Sequence, residues 1–68
     1  MRLQPDHLAT LLAIVDTGTF EAAARRLHLT PSAVSQRVKA LEAEIGQVVV
    51  ARTAPCSATS AGEVLLRL

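Results

Sequence analysis

Helix start and stop signals divide this sequence at such short intervals that only short helices fit between them. Gly18 can take the left-handed conformation that ends helices, and Thr19 follows it as a residue suited to the N-cap position. Thr30 and Pro31 give a second start signal, because threonine caps helices and proline is preferred at the first helical position. Gly46 supplies the next stop. The chain is therefore predicted to fold as short helices joined by tight turns.

Each of the three segments that these signals delimit carries apolar residues on one helical face: the first two at the spacing i, i+3, i+4 and i+7, and the third at i, i+4, i+7 and i+11. These residues are Leu8, Leu11, Leu12 and Val15 in the first segment, Phe20, Ala23, Ala24 and Leu27 in the second, and Val34, Val38, Leu41 and Ile45 in the third. Phe20 is the only aromatic residue of the chain. We therefore expect its side chain at the centre of the core.

The periodicity changes after Gly46. The run "VVVAR" is β-branched and predicts a strand, Pro55 indicates a turn, and "SAT" can form a short return strand. Ser60 and Glu63 then stand at the spacing of a capping box, which predicts the start of a fourth helix. The predicted fold class is all-α with a small β-hairpin, in the order of a winged helix-turn-helix: three helices, of which the last two are joined by a very short turn, and then the wing.

Length and residue types exclude several kinds of site. A chain of 68 residues is one small domain, and 50% hydrophobic residues make a compact core feasible. Cys56 is the only cysteine, so no intrachain disulfide forms, and we expect it to be a small buried apolar side chain under the wing. His7 and His28 have no ligand partners at metal-binding spacing, so no metal site is expected. The apolar run "LATLLAIV" is too short for a membrane span and lacks the features of a secretory signal.

The third predicted helix has a polar face opposite its apolar one. At about 100° per residue, its outward positions are occupied by Ser32, Ser35, Gln36 and Lys39, with no acid among them. Arg37 falls on the flank, where a structural pairing with Glu21 or Glu44 is expected. Arg25 and Arg26 fit a phosphate contact and plain solvation equally well. A helix of this width fits the DNA major groove, where serine, glutamine and lysine can reach base edges or phosphates.

The sequence also bears on two function classes other than DNA binding. A polar helical face is often only solvated surface, and a small helical domain can serve as a protein-interaction module, with the apolar end "EVLLRL" as a docking helix. The outward face of the third helix is basic and polar, which favours DNA over that alternative. An acidic or mixed face would favour an interaction module, because carboxylates repel the phosphate backbone. An enzyme is excluded, because the chain has no nucleophile–base pair, no paired carboxylates and no phosphate-binding glycine loop.

The run from Phe20 to Leu66 resembles the N-terminal DNA-binding domain of the LysR-type transcriptional regulators. The matching features are Phe20 with the following alanines, "SAVSQRV", "LE" before a glycine, Arg52 at the end of the wing strand, and "TSAG" before the last helix. The segments "PSAVSQRVKALE" and "GQVVVART" are most similar to the subgroup that controls export of basic amino acids such as lysine and arginine. Most members carry a Leu-Phe pair where this chain has Val49 and Val50, and we expect that to leave the wing strand less anchored.

The resemblance implies a role for each matching residue. Thr30, Pro31 and Ser32 would enter the groove, Ser35 and Gln36 would reach base edges, Lys39 would contact phosphate, and Arg52 and Thr53 in the wing would touch the DNA backbone or minor groove. Glutamine is suited to a bidentate contact with adenine. No catalytic residue is expected.

The resemblance also implies an assembly. Residues 1–58 would be the winged helix-turn-helix domain, and residues 59–68 the beginning of a linker helix that pairs with its twin through Val64, Leu65 and Leu68. The expected partners are double-stranded DNA carrying an interrupted inverted repeat and further copies of the protein, with no membrane partner and a cytoplasmic location. No cofactor is expected in this chain; a small-molecule effector such as lysine or arginine would bind a domain that is missing here.

Overall fold

Four helices and a two-stranded hairpin make up the part of the chain that the computed structural model describes, residues 4–68. Residues 1–3 of the predicted 1–58 domain lie outside the described residues. The elements are α1 (Pro5–Thr17), α2 (Phe20–Leu27), α3 (Pro31–Ile45), β1 (Val50–Ala51), β2 (Ser57–Ala58) and α4 (Ser60–Leu66). The predicted order of three helices, a hairpin and a further helix is confirmed.

The predicted helix ends are confirmed by their cap geometry. Gly18 ends α1 with a φ of 85°, and Gly46 ends α3 with a φ of 78°, both in the left-handed region that favours glycine. The Thr19 hydroxyl oxygen accepts a hydrogen bond from the backbone N–H of Ala22 at 3.0 Å. The Thr30 hydroxyl does the same in α3. Side-chain capping of this kind satisfies backbone donors that a helix leaves free at its start.

The start of α4 differs from the prediction by one residue. Thr59, and not Ser60, is the N-cap, because the Thr59 hydroxyl oxygen accepts from the backbone N–H of Gly62 at 3.2 Å. The same hydroxyl donates to the Val48 carbonyl oxygen at 2.6 Å. That second bond reaches back to the segment before β1, and it explains why the cap falls on the threonine: the wing holds it in place.

The core lies where α1, α2 and α3 meet and is closed by the wing and α4. Its buried apolar residues are Leu11, Ala13, Ile14, Ala23, Ala24, Val34, Val38, Leu41, Val49, Val50 and Leu65. The alanines of α2 allow α1 and α3 to approach closely. Val49 and Val50 are both buried, so the start of the wing packs on the core through two valines.

Two predictions about the core are wrong. Phe20 is half-buried at the edge of the core and not at its centre, because it is the first residue of α2 and its ring lies against Arg52 of the wing. Leu12 is 49% exposed. Thr10 takes an inward position instead, fully buried, with its hydroxyl donating to the Asp6 carbonyl oxygen at 2.7 Å. A hydroxyl satisfied in this way can be buried at little cost.

The wing is shorter than its sequence predicts. Val50 pairs with Ala58 and Ala51 with Ser57 in an antiparallel ladder, whereas Val48 lies before the strand and is 63% exposed. The loop between the strands is held to the α1–α2 turn, since the backbone N–H of Cys56 donates to the Gly18 carbonyl oxygen at 2.8 Å. Cys56 is half-buried and packs against the core, which is less burial than predicted.

Membrane-spanning helices and groups of metal ligands are both absent from residues 4–68. No helix in this range is long and apolar enough to cross a membrane. The same residues contain no group of three or more histidine, cysteine, aspartate or glutamate side chains that could hold a metal ion.

Candidate nucleic-acid interface

The outward side of α3 presents the polar residues that the sequence places there. Ser32, Gln36 and Lys39 are exposed, and successive steps of about 100° put them within roughly 60° of one another around the helix. Ser35 lies at the margin of this face and is half-buried. Thr30 and Pro31 are exposed at its N-terminal end. The core residues Val34, Val38 and Leu41 occupy the opposite side.

This face carries no carboxylate. The glutamate next along the helix, Glu42, is half-buried and directed to the wing, where its Oε2 accepts from the backbone N–H of Val49 at 2.9 Å. Glu44 is exposed but lies about 120° around α3 from Ser32. The polar face of α3 is therefore free of the negative charge that would repel a phosphate backbone.

A tight turn sets how α3 meets α2. His28 ends α2 in the left-handed conformation with a φ of 58°, and its backbone N–H is shared between the carbonyl oxygens of Ala24 and Arg25. The backbone N–H of Leu29 also donates to the Ala24 carbonyl oxygen, at 2.8 Å. These bonds satisfy two of the four carbonyl groups that α2 leaves without a helical partner at its end, and they fix the course of the turn. The arrangement is that of a helix-turn-helix, in which the second helix enters the groove.

The start of α3 keeps donors available for an anion. The Thr30 hydroxyl oxygen accepts from the backbone N–H of Ala33 at 3.1 Å, which leaves its own O–H free to donate. The first turn of α3 contains no acid. The positive end of the helix dipole is thus not neutralised by the chain itself, which favours a phosphate at this position.

The wing loop follows β1 and carries Arg52 and Thr53, both exposed. The Arg52 guanidinium carbon lies 4.5 Å from the centroid of the Phe20 ring. The Thr53 hydroxyl donates to the Pro55 carbonyl oxygen at 2.8 Å, so in this conformation its proton braces the loop and is not available to a phosphate. Arg52 is therefore the side chain of the wing that is best equipped to bind DNA.

The remaining arginines of this region have different surroundings. Arg26 lies 3.4 Å from Asp16, and this is the one ion pair among residues 4–68, with both side chains half exposed. The prediction that Arg37 pairs with Glu21 or Glu44 is wrong. Its Nη1 instead lies 3.4 Å from the Thr10 hydroxyl oxygen on α1, because the flank of α3 that carries Arg37 is turned toward α1.

Sequence reasoning missed the roles of Thr10 and Glu42. Thr10 interrupts the apolar pattern of α1, and a polar residue between buried positions is a signal of a buried hydrogen bond. Glu42 directly follows the buried Leu41. The partner of Thr10 could not be identified beforehand, because Arg37 lies on a different helix. The partner of Glu42 could not be identified either, because Val49 lies beyond the turn that ends α3.

The three residues predicted to pair with a second chain have different surroundings at the C-terminal end of the structure. Val64 is 59% exposed and Leu68 82% exposed, whereas Leu65 is 7% exposed and belongs to the core of its own domain. Leu65 is therefore corrected to a core residue. Beside Val64, an apolar groove of about 380 Å³ separates α4 from the end of α3; Ile45, Gln47, Ser60 and Ala61 contribute to its lining.

A family model and individual relatives place this chain in the same protein family. The family model described as bacterial regulatory helix-turn-helix protein, lysR family, matches residues 5–63. The HTH-type transcriptional regulator LysG of Mycobacterium tuberculosis is 60% identical over 67 residues, which cover 98% of this chain and 22% of the relative. The lysine export transcriptional regulatory protein LysG of Corynebacterium efficiens is 57% identical over 65 residues, covering 96% of this chain and 22% of the relative.

Solved structures share the fold. Full-length LysG from Corynebacterium glutamicum with bound effector arginine superposes with a TM-score of 0.92 at 57% identity, over 96% of this chain and 22% of that one. The CbnR_DBD–DNA complex superposes with a TM-score of 0.87 at 30% identity, over 96% of this chain and 76% of that one. The chain thus spans 22% of the length of the curated relatives it matches.

Proposed function

This chain belongs to the lysR family of bacterial regulatory helix-turn-helix proteins, and from that premise we propose that it binds double-stranded DNA with sequence specificity, as the DNA-binding domain of a transcriptional regulator. A regulator of this kind is not an enzyme and works in the cytoplasm, where the bacterial chromosome lies. The observation that carries the proposal is the polar face of α3. This face is exposed, contains no acid, and lies on the second helix of a helix-turn-helix, opposite the side that packs in the core.

The proposal assigns two kinds of contact. Ser35 and Gln36 read base edges in the major groove, and a glutamine amide can pair bidentately with adenine. Thr30, Pro31 and Ser32 enter the groove at the start of α3, and Lys39 holds a phosphate. In the wing, Arg52 contacts the backbone or the minor groove, and Thr53 supports the loop from which Arg52 projects. Phosphate contacts set the register of the protein on DNA, whereas base contacts select the sequence.

We further propose that two copies act together on an interrupted inverted repeat. Residues 1–58 form the DNA-binding unit, and residues 59–68 begin the linker helix that joins it to its twin. The exposed Val64 and Leu68 supply the pairing surface, since Leu65 is already buried in the domain.

The regulated process is proposed from the relatives. One is named a lysine export regulatory protein, and the structure of another was solved with bound effector arginine. We infer that the whole protein controls export of a basic amino acid and senses lysine or arginine. These relatives are far longer than the matched region, so the effector would bind outside the 68 residues of this chain.

The test is selection followed by affinity measurement. The chain would be used to select duplexes from a random library, and its affinity for the selected duplex would be compared with that for a shuffled one by fluorescence anisotropy. Each good base contact discriminates by about 1–3 kcal/mol, so we expect preference of at least about fivefold for the selected site. Both affinities should fall steeply between about 50 and 200 mM salt, because phosphate contacts release counterions.

The alternative of a protein-interaction module makes a different prediction in the same experiment. A module without a DNA face would bind neither duplex, or would bind both equally with no enriched sequence. Either result would contradict the proposed function.

A further inference from the structure

Phe20 and Arg52 come from different elements and meet at the base of the wing. Phe20 is the first residue of α2, and Arg52 directly follows β1. The guanidinium carbon lies 4.5 Å from the ring centroid. A cation within about 6 Å of the face of a phenylalanine is attracted by the ring quadrupole. The only aromatic residue of the chain is thus placed against the charged residue of the wing.

Hydrogen bonds of neighbouring residues fix the backbone on both sides of the contact between Phe20 and Arg52. Thr19 caps α2 immediately before Phe20, and the ring packs against the core from its half-buried position. On the other side, the Cys56 backbone N–H donates to the Gly18 carbonyl oxygen, and the Thr53 hydroxyl braces the loop against Pro55. The ring and the wing loop are therefore tied to one another by bonds that do not involve Arg52.

The contact leaves the hydrogen-bonding capacity of Arg52 intact. The attraction between a cation and a ring face depends on the charge of the guanidinium, so the contact itself requires none of its N–H donors to form a hydrogen bond. Arg52 is exposed, and among residues 4–68 it forms no ion pair. An unrestrained arginine side chain loses rotamer entropy on binding, and contact with the ring removes part of that loss beforehand.

We propose that Phe20 is a positioning residue for DNA binding: its ring holds the Arg52 guanidinium in place before DNA arrives, with the N–H edge free for phosphate or minor-groove oxygens. This inference rests on the proposed function, since it concerns the same interface. It assigns to the DNA-binding step an aromatic residue that the sequence pattern places in the core.

A double-mutant cycle tests the role. The four proteins are the wild type, Phe20→Leu, Arg52→Ala and the double variant, each measured for affinity to the selected duplex. Leucine keeps apolar bulk at the edge of the core but offers no ring face. We expect Phe20→Leu to weaken binding about two- to fivefold when Arg52 is present, which corresponds to an exposed cation–π contact. We expect no such loss when residue 52 is alanine.

Two controls separate positioning from folding. Phe20→Tyr retains the ring and should restore wild-type affinity, and thermal melts should show all variants folded at the assay temperature. By NMR, the Arg52 side-chain protons should be shifted upfield by the ring current in the wild type and in Phe20→Tyr, and not in Phe20→Leu.

The outcomes distinguish this inference from the proposed function. A wild type that selects no DNA would overturn both. A wild type that binds specifically, with an equal loss from Phe20→Leu in both backgrounds, would overturn the positioning role alone. So would an Arg52 spectrum unaffected by the loss of the ring.

Discussion

The Glu42 carboxylate accepts a hydrogen bond from the backbone N–H of Val49 at 2.9 Å. This bond connects the last turns of α3 to the residue that precedes β1 of the wing. Gly46, between them, ends the helix and turns the chain back, with its own N–H bonded to the Glu42 carbonyl oxygen at 2.7 Å. The two parts of the proposed interface, helix and wing, are thus held at a defined spacing by one side chain. A buried backbone N–H that loses its acceptor is costly, so this bond can be tested by substitution of Glu42.

Glu42→Ala should lower the free energy of unfolding by about 1–3 kcal/mol, because the Val49 N–H would lose its partner in a part-buried position. Glu42→Gln is the matched control: its amide oxygen can still accept, so the loss should be clearly smaller. Urea denaturation of both variants provides the measurement. Equal losses would mean that the charge, and not the acceptor, matters.

Leu11 and Leu12 are neighbours in α1 with opposite surroundings, 0% and 49% exposed. Leu11→Ala should destabilise by about 2–5 kcal/mol, since it removes packed side-chain volume from the core. Leu12→Ala should cost less than about 1 kcal/mol. The helix propensity change is the same in both variants, so the difference in urea midpoint isolates burial. A similar loss at both positions would place Leu12 in the core, as its sequence spacing predicts.

Gly62 lies inside α4, where alanine would ordinarily be preferred by about 1 kcal/mol. A Cβ at this position would collide with the backbone carbonyl oxygen of Val49, so Gly62→Ala must displace α4 from the wing. We expect the thermal midpoint to fall instead of rising. Exposed Glu63 in the same helix provides a control, because Glu63→Ala creates no such contact. A more stable Gly62→Ala would show that α4 can shift freely.

Gln36→Ala should relax preference at one base pair of the selected site, by about 1–3 kcal/mol, since a base-reading amide is lost. Lys39→Ala should instead weaken binding to all duplexes and lower the slope of log affinity against log salt by about one. Both are measured by anisotropy on the selected duplex and its single-base variants. If Gln36→Ala weakened all duplexes equally and Lys39→Ala changed the preference, the two roles would be exchanged.

A two-fold pair of domains requires half-sites on one side of the duplex, about one helical turn or a multiple apart. Inserting five base pairs between the half-sites should therefore reduce binding of the dimer, because the second half-site rotates to the far side. Inserting ten base pairs is the control for added length, and footprinting reports occupancy of each half-site. Indifference to the five-pair insertion would argue against a symmetric dimer.

The boundaries between α1, α2 and α3 and the polar face of α3 were predictable from the sequence, because they depend on residues close together in the chain. A threonine that caps a helix bonds a backbone N–H three residues away, as Thr19 and Thr30 do, and a glycine that ends one needs only its own φ. The alternation of apolar and polar positions along α3 likewise follows from a constant angle per residue.

The positions of Phe20, Leu12 and Leu65, and the partner of Arg37, were not predictable in this way. Each depends on how elements distant in the sequence pack: Arg37 meets Thr10 across 27 residues, and the Phe20 ring lies under Arg52 of the wing. Helical spacing shows that a residue lies on an apolar face, but the closeness of the neighbouring helix determines whether a ring fits there. Here Phe20 stands at the first position of α2, and its ring remains at the edge of the core, against the arginine.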